Sequence, residues 1–184
     1  MAVVITPRTD LPLTLDGVKD YLQETESDND ALINQLIESA TDWVEQKLSR
    51  CLMTTVFEER LSCWPTCNVV RLRWNPVQSL DSIKYVDANG NEQTITSTNY
   101  ATWIRDGIMK VSFNDDYTWP TTKAVQDAFK IRFTAGYNPS YTIPAPIKNA
   151  MLLRIRKAYD NRQDEAWNGK TASDYLLEPY IIYL

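Results

Sequence analysis

Residues 28–50 read DNDALINQLIESATDWVEQKLSR. Leu32, Ile33, Leu36, Ile37, Ala40, Trp43, Val44 and Leu48 recur there at three- and four-residue steps, which puts one apolar stripe along a long helix. Ser27 or Asp28 supplies the N-cap, and Asp28 and Asp30 suit the positive end of the helix dipole. Upstream, Thr14 caps a short helix with Leu15, Val18 and Leu22 on one face, and a polar turn from Glu24 to Asp30 joins the two. Residues 1–50 therefore read as a helical block.

Downstream of Arg50 the helical period disappears. Short β-branched and aromatic runs alternate with turn residues, predicting strands over 54–61, 69–74, 82–86, 92–95, 100–104, 108–113 and 129–134. Asn89-Gly90 reads as a type I′ hairpin turn, and Asp106-Gly107 as a second hairpin. Residues 51–138 are thus an inserted antiparallel β-region, a small sandwich or curled sheet. The stretch 114–127, NDDYTWPTTKAVQD, is too long for a tight turn and reads as a projecting loop carrying Asp115, Asp116, Tyr117 and Trp119.

Helix returns in residues 139–184. Pro139, Pro144 and Pro146 stiffen the approach, with Pro146 suited to a first helical position. Ile147, Ala150, Met151, Leu153, Ile155 and Ala158 carry that helix, and an apolar tail follows from Asp174 to Leu184. The expected class is α+β: a helical body made by the N-terminal helices and the C-terminal helix as one unit, with the β-region inserted.

Composition narrows the function. The 184 residues hold 19 Lys+Arg, 24 Asp+Glu and no His, for a net charge of −5. Without imidazole, Ser-His-Asp and Cys-His catalysis and His-dependent zinc sites are excluded. The acidic balance argues against coating DNA, since phosphate neutralisation needs a basic surface. With five glycines in the chain, no phosphate-cradling glycine loop is recognisable. No apolar run approaches the roughly 20 residues of a membrane span. MAVVITPRTD lacks the pattern of a signal peptide, so a protein made and kept in the cytosol is expected, with Cys51, Cys63 and Cys67 as reduced thiols. No catalytic residue, cofactor or metal site is expected; Asp115 and Asp116 read as a solvated loop.

Charge placement is more informative. From Glu24 to Arg50 there are seven acids, including Glu38, Asp42 and Glu45, against two bases. From Lys148 to Arg162 there are five bases, including Arg154, Arg156, Lys157 and Arg162, against Asp160. Either two helices of one core pair their polar edges, or the opposite faces meet between neighbouring subunits, a head-to-tail contact able to close a ring. The apolar tail, with Tyr175, Leu176, Leu177, Pro179 and Tyr180, poses a similar choice: it fills a groove of its own helical half, or it anchors in a partner.

The order of segments resembles the head–tail connector (adaptor, or head-completion) proteins of long-tailed bacteriophages and gene transfer agents. The resemblance is carried by LDGVKDYL at 15–22, DALINQLIESATDWVE at 30–45, LRWNPVQSLDSIKYVD at 72–87, Trp119-Pro120, DAFKIRFTAGY at 127–137, IPAPIKNA at 143–150, Tyr159, Arg162, and LLEPY at 176–180. The chain departs from the pattern at its end, continuing as Ile181-Ile182-Tyr183-Leu184 where a basic residue is expected soon after Tyr180. The resemblance implies a non-enzymatic structural protein of the virion head–tail interface, present in the host cytoplasm during assembly. It implies a ring of identical subunits below the portal, following its twelve-fold symmetry in relatives and extending the DNA channel without gripping DNA. Its partners would be the portal protein, its own copies and a stopper or tail-completion protein, with no membrane involved. Tyr175, Leu176, Leu177, Pro179 and Tyr180 would carry portal docking. Two rival readings are a stopper or tail-terminator ring protein, and a partner- or carbohydrate-binding β-module stacking ligands on Trp64, Trp74, Trp103 and Trp119.

Overall fold

A computed structural model describes residues 2–65, 67–105, 107–138, 142–161 and 169–182. Helix α1 (Leu15–Leu22) begins where expected: Thr14 is extended and its hydroxyl accepts a hydrogen bond from the Gly17 amide at 3.2 Å. Helix α2 (Asp30–Leu48) starts later than expected, with Asn29 as N-cap. The Ser27 carbonyl is taken by the Asp30 amide in a turn before the helix, and the Asn29 side chain donates to Tyr159 Oη instead of capping. Helix α3 (Ala145–Asp160) has Pro144 at its N-cap, so Pro146 stands at the second helical position, where a missing N–H is equally harmless. Helix α4 (Ala172–Leu177) opens with a capping box between Thr171 and Asp174 and runs into a 3-10 turn, Glu178–Tyr180.

These helices share one core. Val18 of α1, Ile33, Ile37, Val44 and Leu48 of α2, Ile147, Met151 and Ile155 of α3, and Leu177 of α4 are all buried in one cluster. Leu36 and Trp43 pack against its margin, whereas Leu32 is only half-buried and lies outside it. The buried Thr41 hydroxyl donates to the Ile37 carbonyl at 2.7 Å, leaving no orphaned polar group in the stripe.

Strands β1 (Ala2–Thr6), β2 (Thr55–Leu61), β8 (Phe129–Ala135), β4 (Val77–Val86) and β5 (Glu92–Thr94) form a five-stranded antiparallel sheet in that spatial order. Strands β3 (Val69–Arg71), β7 (Ile108–Phe113) and β6 (Tyr100–Arg105) form a three-stranded one. β8 sits centrally and alternates as a half-buried strand should, with Phe129, Ile131, Phe133 and Ala135 buried. The first strand corrects the reading of residues 1–50 as helical: Ala2–Thr6 is β-branched at four of five positions and pairs along β2 from Ala2↔Glu59 to Thr6↔Val56.

The Asn89-Gly90 hairpin is real, but its turn is not type I′. The Gly90 amide donates to Asp87 O, Gly90 alone has a positive φ (92°), and the Asp87 carboxylate accepts from the Asn89 and Asn91 amides. A carboxylate at the first turn position favours the ordinary type I turn followed by a left-handed glycine. Of the second expected turn, Gly107 has φ 75° and Asp106 lies outside the described residues.

By contacts the chain forms two compact units: Met1–Arg8 with Thr54–Gly136, and Thr9–Met53 with Tyr137–Tyr183. The first holds both sheets and the second the four helices.

Candidate functional site

The charged residues singled out on the two long helices sort into two groups. Arg154 lies half-buried with its guanidinium carbon 4.0 Å from the centroid of Trp43, and Lys47 approaches the same ring at 5.1 Å. Burial pushes the Arg154 pKa down, opposed by the charge of Asp174. Lys47 is ion-paired with Asp174. Burial alone would raise the Asp174 carboxyl, but hydrogen bonds from Lys47 and Thr171 outweigh it and hold the group far below the usual carboxylate range. Arg156 donates to Asp160 at 2.7 Å and to the Leu22 carbonyl at 3.4 Å, which places a cation at the C-terminal end of α1. Glu45 accepts from the Leu52 amide at 2.8 Å and so closes the turn after α2. Arg154, Arg156 and Glu45 thus each have a partner within their own subunit. The second group, Glu38 and Asp42, is exposed along α2 beside Gln35, Ser39 and Gln46, in a shallow depression that Trp43 also lines. Lys157 is half-buried, and Arg162 lies outside the described residues.

The C-terminal segment folds back on its own helices. Leu177 is fully buried, and Leu176, Tyr180 and Ile181 pack against the same core. The Tyr180 carbonyl accepts from Arg50 Nε at 2.9 Å, and the Ile182 amide donates to the Leu48 carbonyl at 3.2 Å. Of the five residues expected to dock, Tyr175, 60% exposed, and Pro179 are the ones that face solvent.

The loop 114–127 is exposed at its start and again over 123–126, and is tied down in between. Asp115 and Asp116 are exposed, but Tyr117 and Trp119 turn inward. Trp119 packs at a tilt against Trp64 at 4.5 Å and against Phe113 at 4.7 Å, with its indole N–H donating to Asn68 Oδ1 at 3.2 Å. Trp64 donates to the Pro120 carbonyl and lies 4.8 Å from Phe129. An aromatic hydroxyl or indole that can reach a partner buries well, and here the apolar gain closes the loop down. The four tryptophans therefore form no common stacking platform. Trp64 and Trp119 belong to this cluster, Trp74 stacks on Phe57 at 5.3 Å, and Trp103 stands on the three-stranded sheet under Lys110.

The sequence reading missed one surface. In the register of the three-stranded sheet Arg71 faces Lys110 and Lys110 faces Trp103, so the three side chains stand in one row across β3, β7 and β6. Val70, Leu72, Val111 and Phe113 are buried on the other side. The signal was present in VVRLRW at 69–74, where Arg71 and Arg73 alternate with buried neighbours.

Among the described residues no group of three or more His, Cys, Asp or Glu is placed to hold a metal ion. No helix among them is long and apolar enough to cross a membrane. Three surfaces stand out among the described residues: Glu38 and Asp42 along α2, the exposed edge of the C-terminal segment, and the basic row.

A comparison with curated proteins gives no match. Among solved structures, a chain from the neck of an empty gene transfer agent (GTA) particle computed with C6 symmetry shares 19% identity at a TM-score of 0.84, over 100% of this chain and 96% of that one. Chains from the virion of a native gene transfer agent particle (19%, TM-score 0.83) and from the neck of a native GTA particle computed with C12 symmetry (20%, 0.81) cover the same shares. At such identities the likeness speaks for the fold. The model of the family described as head completion protein matches residues 12–175, and over that span the chain belongs to the head completion protein family of virion structural proteins.

Proposed function

We propose that this protein is a head–tail connector: a ring of identical subunits below the portal that extends the DNA channel and offers the platform for the stopper or tail. The observation that carries the reading is the family match over residues 12–175, supported by a fold shared along its whole length with chains of gene transfer agent necks. The role needs binding surfaces and no catalysis. A net charge of −5 suits a channel that lets DNA pass without holding it. The protein works at the head–tail interface of the virion, after synthesis in the host cytoplasm. Portal docking falls to the exposed edge of the C-terminal segment, Tyr175 and Pro179, while Leu176, Leu177 and Tyr180 fix that segment on its own helices.

The test is mass by light scattering, with the protein alone and with its cognate portal. The expected result is a layer of subunits joining the portal in register with its symmetry. Tyr175→Ala should weaken joining and leave the subunit folded. A protein that ignores the portal at every concentration overturns the reading.

A further inference from the structure

We propose that the outer face of the three-stranded sheet is one half of a head-to-tail contact with a second copy of this chain, and that the acidic ridge of α2 is the other half. The inference rests on the connector reading and names the surfaces that would close its ring.

The first argument is a cost left uncompensated. Like charges directly opposite on neighbouring strands destabilise a sheet. The five-stranded sheet contains such a pair, Lys84↔Lys130, and cancels it: Glu92 accepts from Lys84 at 2.8 Å and from Lys130 at 3.0 Å. The three-stranded sheet contains Arg71↔Lys110 and cancels nothing. Among the described residues Arg71, Arg73 and Lys110 have no carboxylate partner; Lys110 instead lies 4.8 Å from the centroid of the Trp103 ring. Arg71, Arg73 and Trp103 are exposed, and β3 and β6 are the edge strands of the sheet. A cationic row with an aromatic at its end has the composition of an interface core that awaits an anionic surface.

The second argument is that the same chain carries a matching surface. Gln35, Glu38, Asp42 and Gln46 succeed one another at three- and four-residue steps along α2 and line one depression. Glu38 has no ion-pair partner among the described residues. At about 1.5 Å per residue, Glu38 and Asp42 stand roughly 6 Å apart along the helix axis. Directly opposed residues of antiparallel strands stand roughly 4.5–5.5 Å apart. The Glu38 carboxylate can therefore meet a cation of that row, with Asp42 and the glutamines flanking the contact. The two halves lie on different surfaces of one chain, so the contact is heterologous. Each added copy leaves one free face of each kind, which a ring satisfies at closure. In a chain of net negative charge, such local complementarity is also what lets like copies approach one another.

The experiment uses the full chain, as a mixture of unlabelled and 15N-labelled protein, assembled alone at high concentration and on the portal. A zero-length carbodiimide coupling then joins carboxylates to lysines in contact. Mixed-isotope peptides joining Lys110 to Glu38 or Asp42 are expected. Two variants, Arg71→Glu with Lys110→Glu and Glu38→Lys with Asp42→Lys, should keep the wild-type fold by circular dichroism. Each should weaken self-association roughly hundredfold, because like charges then face each other across the contact. Mixed one to one, they should associate again, since each then offers the charge the other needs. Rings of unchanged mass from both variants, or rings without those cross-links, overturn this inference and leave the connector reading standing. A chain that stays monomeric alone and with the portal overturns both.

Discussion

The two sheets contain the same awkward element and treat it in opposite ways. In the five-stranded sheet Lys84 and Lys130 face each other and Glu92 reaches both. On the other side of β8, Arg132 and Arg60 converge on Glu58, a carboxylate with 8% of its side chain exposed. In the three-stranded sheet Arg71 and Lys110 face each other with no acid between them. The first sheet is built to be stable in isolation. The second keeps a like-charge pair at its surface, which costs stability.

The largest test asks whether the two sheets are one cooperative structure. Phe113 of β7 and Phe129 of β8 are buried, lie 6.1 Å apart and meet in the aromatic cluster with Trp64 and Trp119. Phe129→Ala should cost about 3–5 kcal/mol, and Phe113→Ala a similar amount. Both should act in a single urea transition that moves both sheets together. Hydrogen exchange that loosens only β3, β7 and β6 in Phe113→Ala would divide the sheets and weaken the comparison.

Next comes Glu58→Gln. Burial works to raise this carboxyl, but hydrogen bonds from Arg60 at 2.8 Å and Arg132 at 3.1 Å outweigh it and set its pKa below the usual value. Its loss should cost about 1.5–3 kcal/mol, the range for hydrogen bonds to a charged group. Because the folded pKa lies below the unfolded one, this stability is present above about pH 4.5, the ordinary value, and drains as pH falls further. A urea series from pH 7 to pH 3 should show a shallower loss for Glu58→Gln than for the wild type.

Glu92→Gln should have a smaller effect. Hydrogen bonds from Lys84 and Lys130 pull its pKa down to about 2, yet 41% of its side chain is exposed and salt screens it. About 0.5–1 kcal/mol is expected, shrinking at high salt. Its contribution holds above the ordinary carboxylate pKa of 4.5 and is lost between there and about 2. Smallest, and of opposite sign, is Arg71→Glu: replacing repulsion by attraction across β3 and β7 should stabilise the subunit by about 0.2–1 kcal/mol. A destabilised Arg71→Glu in equilibrium unfolding would erase the contrast between the sheets.

How far the sequence discloses this molecule depends on how local each determinant is. The α2 stripe is a local period, and so are the alternations of β7 and β8; all are readable from residue types alone. The β-branched AVVIT is also local, but its partner among the described residues is β2, some fifty residues on, and no local pattern says where that partner lies. Arg154 and Arg156 were visible as charges. Their contacts with Trp43 and the Leu22 carbonyl, both more than a hundred residues away, were not. The basic row depends on register, which pairs Arg71 with Lys110 and is set by three-dimensional packing. Likewise the loop 114–127 had the length of a projection, while Trp119 and its contact with Trp64 across fifty-five positions tie it down.

The division of the helical core between the two ends of the chain has a consequence for the order of synthesis. α2 ends at Leu48, and α3, which covers Ile33, Ile37 and Val44, begins only at Ala145. At roughly 5–20 residues per second the ribosome needs about 5–20 s to bridge that interval. Throughout it the apolar stripe of α2 is synthesised but uncovered, while the central strand β8 emerges in time to complete the five-stranded sheet first. The nascent chain thus presents a greasy helix beside a finished β-unit, a state in which holding chaperones, rather than the chain itself, govern how much protein survives to be assembled.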